Sequence, residues 1–276
     1  MHPAISRLPS LSRSRRAPWP TLFLVLAAGS LAAFLAAPWP LAAKAMAVLH
    51  GLCSQNPRYS FWFGRERLPF EARMTGIYGG FLCTQLTLLA RGRFRAARPP
   101  APSLLAALAL GVVAIGLDGL NSTLVDLDAP HLYAPSNALR YLTGSLCGAA
   151  LAVFLWLLLG AVLWRPEARG ARPVARWRDL ALAAPLVALF GLAAASGRAP
   201  LYTPLTLALV LAAVLVLFEF ALPAVQLFRL RERAASSLRE LAGPALAALL
   251  LSYGALLLLG GGRFALEAAF HLHAMG

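Results

Sequence analysis

The sequence is short of charge. Asp, Glu, Lys and Arg make up only 13% of its 276 residues, and of its 25 Lys and Arg side chains just one, Lys44, is a lysine. Soluble chains carry about 25% charged and about 45–50% apolar residues, whereas 59% of this chain is hydrophobic. It has too few polar side chains to cover a water-facing surface, which excludes a soluble enzyme and a disordered chain. Cysteine is scarce as well. Three cysteines make an odd count without metal-knuckle spacing, and Cys83 and Cys147 fall inside apolar stretches, so a secreted disulfide scaffold is excluded too. Also missing are H-E-x-x-H, G-x-S-x-G and a P-loop. The chain therefore shows no complete catalytic constellation, and the sequence leaves its cofactors unknown.

What it has instead is long apolar runs. A bilayer core of about 30 Å needs about 20 apolar residues, with a range of about 17–25. Seven stretches qualify: Thr21 to Pro38, with a continuation past Pro40 towards Cys53; Met74 to Ala90; Ser103 to Leu117; Tyr141 to Trp164; Asp179 to Arg198; Leu201 to Phe228; and Leu241 to Gly262. None shows the strict alternation of a membrane strand, so the expected fold class is all-α, a polytopic membrane helix bundle of about seven transmembrane helices. Residues 1–19 read as a basic cytoplasmic tail and 20–276 as one membrane-embedded helical domain. Ala43-Lys44-Ala45 is a loose signal-peptidase site, but the apolar core before it exceeds an h-region of about 7–15 residues, so a retained first helix is expected. Pro38, Pro40, Pro204 and Pro223 are candidate helix breaks.

Basic residues lie in clusters between the apolar runs, the pattern of a topology signal rather than of a nucleic-acid face, so no nucleic-acid partner is expected. Arg7, Arg13, Arg15 and Arg16 precede the first run, and Arg91, Arg93, Arg95 and Arg98 follow the second. Arg165, Arg169, Arg172, Arg176 and Arg178 follow the fourth, and Arg229, Arg231, Arg233 and Arg239 follow the sixth. The positive-inside rule then places the N-terminus in and the C-terminus out. The partner this implies is the lipid bilayer. A homo-oligomer or membership of a larger membrane complex stays open.

Ionisable residues at membrane depth are costly and by default suggest function. His50, Cys53 and Gln55 follow the first run, Glu71, Arg73, Thr75 and Tyr78 open the second, Asp118 and Asn121 close the third, and Asn137, Arg140 and Thr143 open the fourth. The inferred topology puts all twelve at the outer leaflet, as a candidate ligand or ion site in which Asp118 pairs with Arg73 or Arg140. Such residues also pair simply to hold a bundle together. Gly76/Gly80 and Gly144/Gly148 have the spacing that lets helices touch closely. Between Ser54 and Arg73, Tyr59, Phe61, Trp62, Phe63 and Phe70 alternate with Arg58, Arg65 and Arg67, which reads as an interfacial aromatic belt.

Four lesser candidates remain. Asp126-Leu-Asp128 with His131 offers hard oxygen ligands for a cation. His271 and His273 have the spacing to share a metal if the chain is extended. Glu219, the lone acid of the sixth run, either relays protons or ions or sits neutral and hydrogen-bonded. His50 and Cys53, three apart, would share a helix face as base and nucleophile.

The run His50-Gly-Leu-Cys53-Ser54-Gln55-Asn-Pro57-Arg58-Tyr59-Ser60-Phe61, followed by Arg73-Met74-Thr75-Gly76-Ile77-Tyr78-Gly79-Gly80, resembles the prokaryotic polytopic membrane family catalogued as domain of unknown function 2085. Asp118-Gly119 and Asn137-Ala-Leu-Arg140-Tyr-Leu-Thr143-Gly144 are similar to its later motifs, so the resemblance covers residues 45–150. It implies a multi-pass protein of the prokaryotic cytoplasmic membrane and supplies no activity. Family motifs usually carry His where Ser54 stands, and Cys where Glu71 and Met74 stand. Any soft-metal or thiol site implied by those residues is reduced here to Cys53 and His50.

Overall fold

The computed structural model describes residues 18–93, 95–166, 172–229, 233 and 235–270. The basic tail with Arg7, Arg13, Arg15 and Arg16, the loop residues Arg169 and Arg231, and the pair His271 and His273 lie outside the described residues. The chain is an all-α membrane helix bundle in which six helices are long and apolar enough to cross a membrane.

Helix α1 (Trp19–Ala36) is followed by Pro38 and Pro40, which end it, and by α2 (Leu41–Leu49). The break leaves carbonyls without amide donors. Lys44 Nζ reaches back to two of them, Leu35 O and Ala37 O, each at 3.1 Å. Helices α1 and α2 run in one direction along α9 (Ala242–Ala269). Trp19 lies beside Gly243, Ser30 Oγ is 2.5 Å from the Tyr253 hydroxyl, and His50 reaches Glu267. Helix α1 lies on the outside of the bundle and buries no residue fully.

The second expected span forms α3 (Ala72–Ala90), which is 19 residues long but falls below the apolarity of the six spans. The reason is its position. Twelve of its residues are buried, so neighbouring helices rather than lipid surround Thr75, Thr84 and Gln85. The third span was expected to end at Leu117 but continues as α4 (Pro102–Asp126), because Asp118, Asn121 and Ser122 find polar partners within the protein. Helix α5 (Asn137–Leu163) starts at the Ser136 cap, whose hydroxyl accepts from Leu139 N at 3.2 Å. The fifth span is broken into α6 (Trp177–Ala181) and α7 (Ala184–Ala195). Pro204 and Pro223 do not break α8 (Tyr202–Phe228), contrary to expectation. Pro204 sits in the first turn, where no amide is needed, and Pro223 is buried against neighbouring packing.

Helices α3 and α5 run parallel with backbones in contact. A Cβ on Gly76 would strike the Tyr141 carbonyl, one on Gly144 the Arg73 carbonyl, and one on Gly148 the Ile77 carbonyl. In lipid the hydrophobic effect does not drive helices together, so such close packing carries the association.

The interfacial belt is corrected by a small hairpin. Strands β1 (Ser60–Phe63) and β2 (Glu66–Glu71) pair antiparallel, with Phe63 opposite Glu66 and Gly64 at φ +67° in the turn. The hairpin turns Phe63 and Phe70 inward instead of to the headgroups, with Leu68 and Pro69 buried beside Phe70. Phe70 stacks on Tyr78 at 4.5 Å between ring centres, and Phe63 lies 5.9 Å from Tyr202, while Trp62 stays exposed.

The bundle thus has two unlike ends. One carries the hairpin, the ends of α2, α4 and α9, and the starts of α3, α5 and α8. The other gathers arginines: Arg91 Nη2 pairs with Asp179 at 3.0 Å, Arg93 Nη1 donates to Arg172 O at 3.0 Å, and the segment after α8 pairs with the end of α5 through Ala235 N to Leu163 O at 3.1 Å.

Gly148→Leu is expected to separate α3 from α5 and lower stability by about 1–3 kcal/mol or more, as overpacking does. Gly29→Leu, with nothing within 4 Å of its Cβ position, serves as the control. Thermal unfolding of both variants in detergent checks this.

Candidate functional site

The twelve residues singled out in the sequence lie at the hairpin end, divided among three clusters and the α3–α5 seam. In the first, the chain leaving α2 folds over the end of α9. His50 Nδ1 lies 3.0 Å from Gln55 Oε1 and its Nε2 lies 2.9 Å from Glu267 Oε2, with the ring stacked on Phe264 at 4.0 Å. Gln55, at φ +58°, also donates to Met46 O (2.9 Å) and Pro69 O (3.2 Å). Arg263 bonds Glu267 at 2.7 Å and the carbonyls of His50, Cys53 and Ser54. Nearly every polar group here already has a partner within the chain, which is the signature of a clamp.

Both ring nitrogens of His50 have partners, Gln55 and Glu267, and no hydrogen bond joins His50 to Cys53 among the described residues. Burial pushes the Cys53 thiol above its ordinary pKa, and its sulfur accepts from Gln55 N at 3.4 Å. A thiolate nucleophile needs the opposite shift. Positions 54 and 71, where the resembled motif carries His and Cys, touch each other: Ser54 Oγ donates to Glu71 Oε1, which also accepts from Asn56 N at 2.9 Å. A hydrogen bond stands where thiol or metal chemistry would need softer ligands. Among the described residues no three His, Cys, Asp or Glu side chains are grouped to hold a metal ion.

In the second cluster Arg73 pairs with Asp118, through Nε at 3.0 Å and Nη2 at 2.6 Å, and Nη2 also donates to Ser122 Oγ at 2.9 Å. Tyr133 donates to the other oxygen of Asp118 at 2.9 Å. Burial, followed by that bond, raises the tyrosine pKa and keeps its proton in place. Asn121 accepts from Leu132 N and donates to Tyr133 O, both at 2.8 Å, tying the α4–α5 loop to α4. Asp118 is fully buried and fully partnered.

The third cluster differs. Arg140, near the start of α5, is 3% exposed. It lies 3.6 Å from the centre of the Tyr59 ring, and among the described residues no acceptor or carboxylate bonds its guanidinium. It lines a cavity of about 250 Å³ with Arg58, Tyr59, Val125, Pro135 and Asn137. Tyr59 donates to Asp126, a bond that raises the tyrosine pKa, while Asn137 Nδ2 donates to Ser60 O at 3.4 Å. An aromatic face gives a cation about 0.5–2 kcal/mol, less than the several kcal/mol a guanidinium loses on leaving water. Arg140 is left with donors to spare.

Thr75 and Thr143 are buried and bond to backbone carbonyls, Thr75 to Phe70 O at 3.2 Å and Thr143 to Leu139 O at 3.1 Å, and Tyr78 packs under Phe70. Away from this end, Glu219 accepts from Gln85 Nε2 at 2.6 Å. His131 Nδ1 lies 3.2 Å from Ala129 O, and among the described residues it is not grouped with Asp126 and Asp128 to hold a metal ion. Sequence reasoning missed Arg263, Glu267, Ser122, Tyr133 and Arg58. The i, i+4 spacing of Arg263 and Glu267 was the available signal.

Residues 53–154 match the model of a family described as a predicted membrane protein, DUF2085, in agreement with the resemblance read from the motifs. The matched segment holds the hairpin, α3, α4 and most of α5, and so all six residues of the Arg140 cavity. No curated protein and no solved structure matches the chain.

Asp118→Ala, which strands Arg73, is expected to cost about 3–5 kcal/mol, while the double variant Arg73→Leu/Asp118→Leu costs less than that; denaturant unfolding in detergent compares them. With Cys83 and Cys147 replaced by Ala, Cys53 is expected to alkylate more slowly than glutathione at pH 8.5, read by mass spectrometry.

Proposed function

We propose that the protein is a non-enzymatic, multi-pass protein of the prokaryotic cytoplasmic membrane that binds a small ion or polar solute at its hairpin end, which faces outward. The supporting observation is the Arg140 cavity: a polar recess at the end of a bundle where the neighbouring His50 and Asp118 clusters are already satisfied within the chain. The arginine-rich opposite end fits the cytoplasmic side, where anionic headgroups attract it. Binding is favoured over conduction, because α3 and α5 touch backbone to backbone below the cavity and leave no passage between them.

The competing reading is a structural or assembly subunit of a larger membrane complex, and the fully bonded clamps at His50 and Asp118 fit it equally well. Native mass spectrometry of the gently extracted protein separates the two. A lone protein or homo-oligomer carrying an added defined mass, lost in Asn137→Leu and kept in Ser54→Ala, is the expected result. Stoichiometric partner chains with no added mass would overturn the binding reading.

A further inference from the structure

We infer that the Arg140 cavity is an oxyanion site, built for a phosphate-type group. This rests on the binding reading above and adds to it the sign and chemistry of the ligand. Arg140 is buried to 3% exposure yet keeps a planar fork of N–H donors that nothing in the described chain accepts from. Its contact with Tyr59 is through the ring face, which fixes the guanidinium without using its N–H groups. Arg58 supplies a second guanidinium to the same cavity and lies 5.6 Å from the same ring. Asn137, the first residue of α5, brings the amino end of a 27-residue helix to the wall, where the backbone dipole adds positive potential.

No acid lines the cavity. The Asp126 carboxylate accepts from the Tyr59 hydroxyl without forming an ion pair with either arginine among the described residues. Two forked cations and a helix start converging on one recess match an oxyanion with several acceptor oxygens better than a cation or a neutral solute. The volume of about 250 Å³ is of the scale of a phosphate group with part of what carries it. A phospholipid headgroup and a free phosphate present the same chemistry here.

The test titrates inorganic phosphate into the full-length protein by calorimetry, in nanodiscs of uncharged glycolipid and in nanodiscs containing phosphatidylglycerol. Binding in the uncharged discs, weakened about tenfold or more by Arg140→Gln, is the expected result, since a bond to a charged group is being removed. Arg58 is exposed, so Arg58→Gln is expected to leave the fold intact and to weaken phosphate in the same direction. Asp126→Asn is expected to leave affinity unchanged or raise it. Competition by phosphatidylglycerol assigns the site to a headgroup, and equal affinity in both discs assigns it to a free solute. Absence of phosphate binding in both discs, or wild-type affinity in Arg58→Gln, overturns the oxyanion assignment. If an added mass is still lost in Asn137→Leu, only the ligand chemistry falls and the binding reading stands.

Discussion

Backbone contact between α3 and α5 sets the positions of most other parts. Gly76, Gly144 and Gly148 let the two helices touch at their carbonyls, so both start at the same end of the bundle and in the same register. Arg73 then lies beside Gly144, at a height where it reaches Asp118 and Ser122 on α4. Arg140, one turn before Gly144, is carried to the same level and meets Tyr59 from the hairpin. A helix pair fixed by steric fit thereby positions three ionisable groups that propensity alone would leave unplaced.

Charge is handled differently at the two ends. Among the described residues of the hairpin end, buried Asp118 is matched by Arg73 and Tyr133, and the partly buried Glu267 by His50 and Arg263. Such pairs offset the desolvation they suffer and mainly hold geometry. Arg140 is the exception, and it is the one that lines a cavity. At the opposite end arginines are mostly near water, with Arg91 and Asp179 joining the start of α6 to the end of α3.

Much of the bundle was legible in the sequence because lipid allows few solutions. Apolar length marks a crossing, proline marks the break between α1 and α2, and small residues four apart mark the α3–α5 seam. Errors arose where protein replaced lipid or water as the surroundings. Helix α3 carries too much polarity for a lipid-facing span because its neighbours cover it. Helix α4 runs on past Leu117 because Asp118 and Asn121 are bonded inside the protein. The aromatics of residues 59–70 read as a belt because strands of only four and six residues, buried without clean alternation, leave little strand signal in the sequence.

The candidate site was legible as a set of residue types and illegible as a set of partners. By itself the sequence determined a membrane-embedded helical bundle, the crowding of arginine between particular spans, and the likeness of residues 53–154 to a membrane-protein family. Those follow from composition and local order, which the bilayer reads directly. Tertiary structure alone decided that Asp118 takes Arg73 and leaves Arg140, that Glu267 claims His50, and that Ser54 meets Glu71. Pairing of charges depends on distances of a few ångströms between helices far apart in the chain, and those distances exist only once the glycine seam has closed.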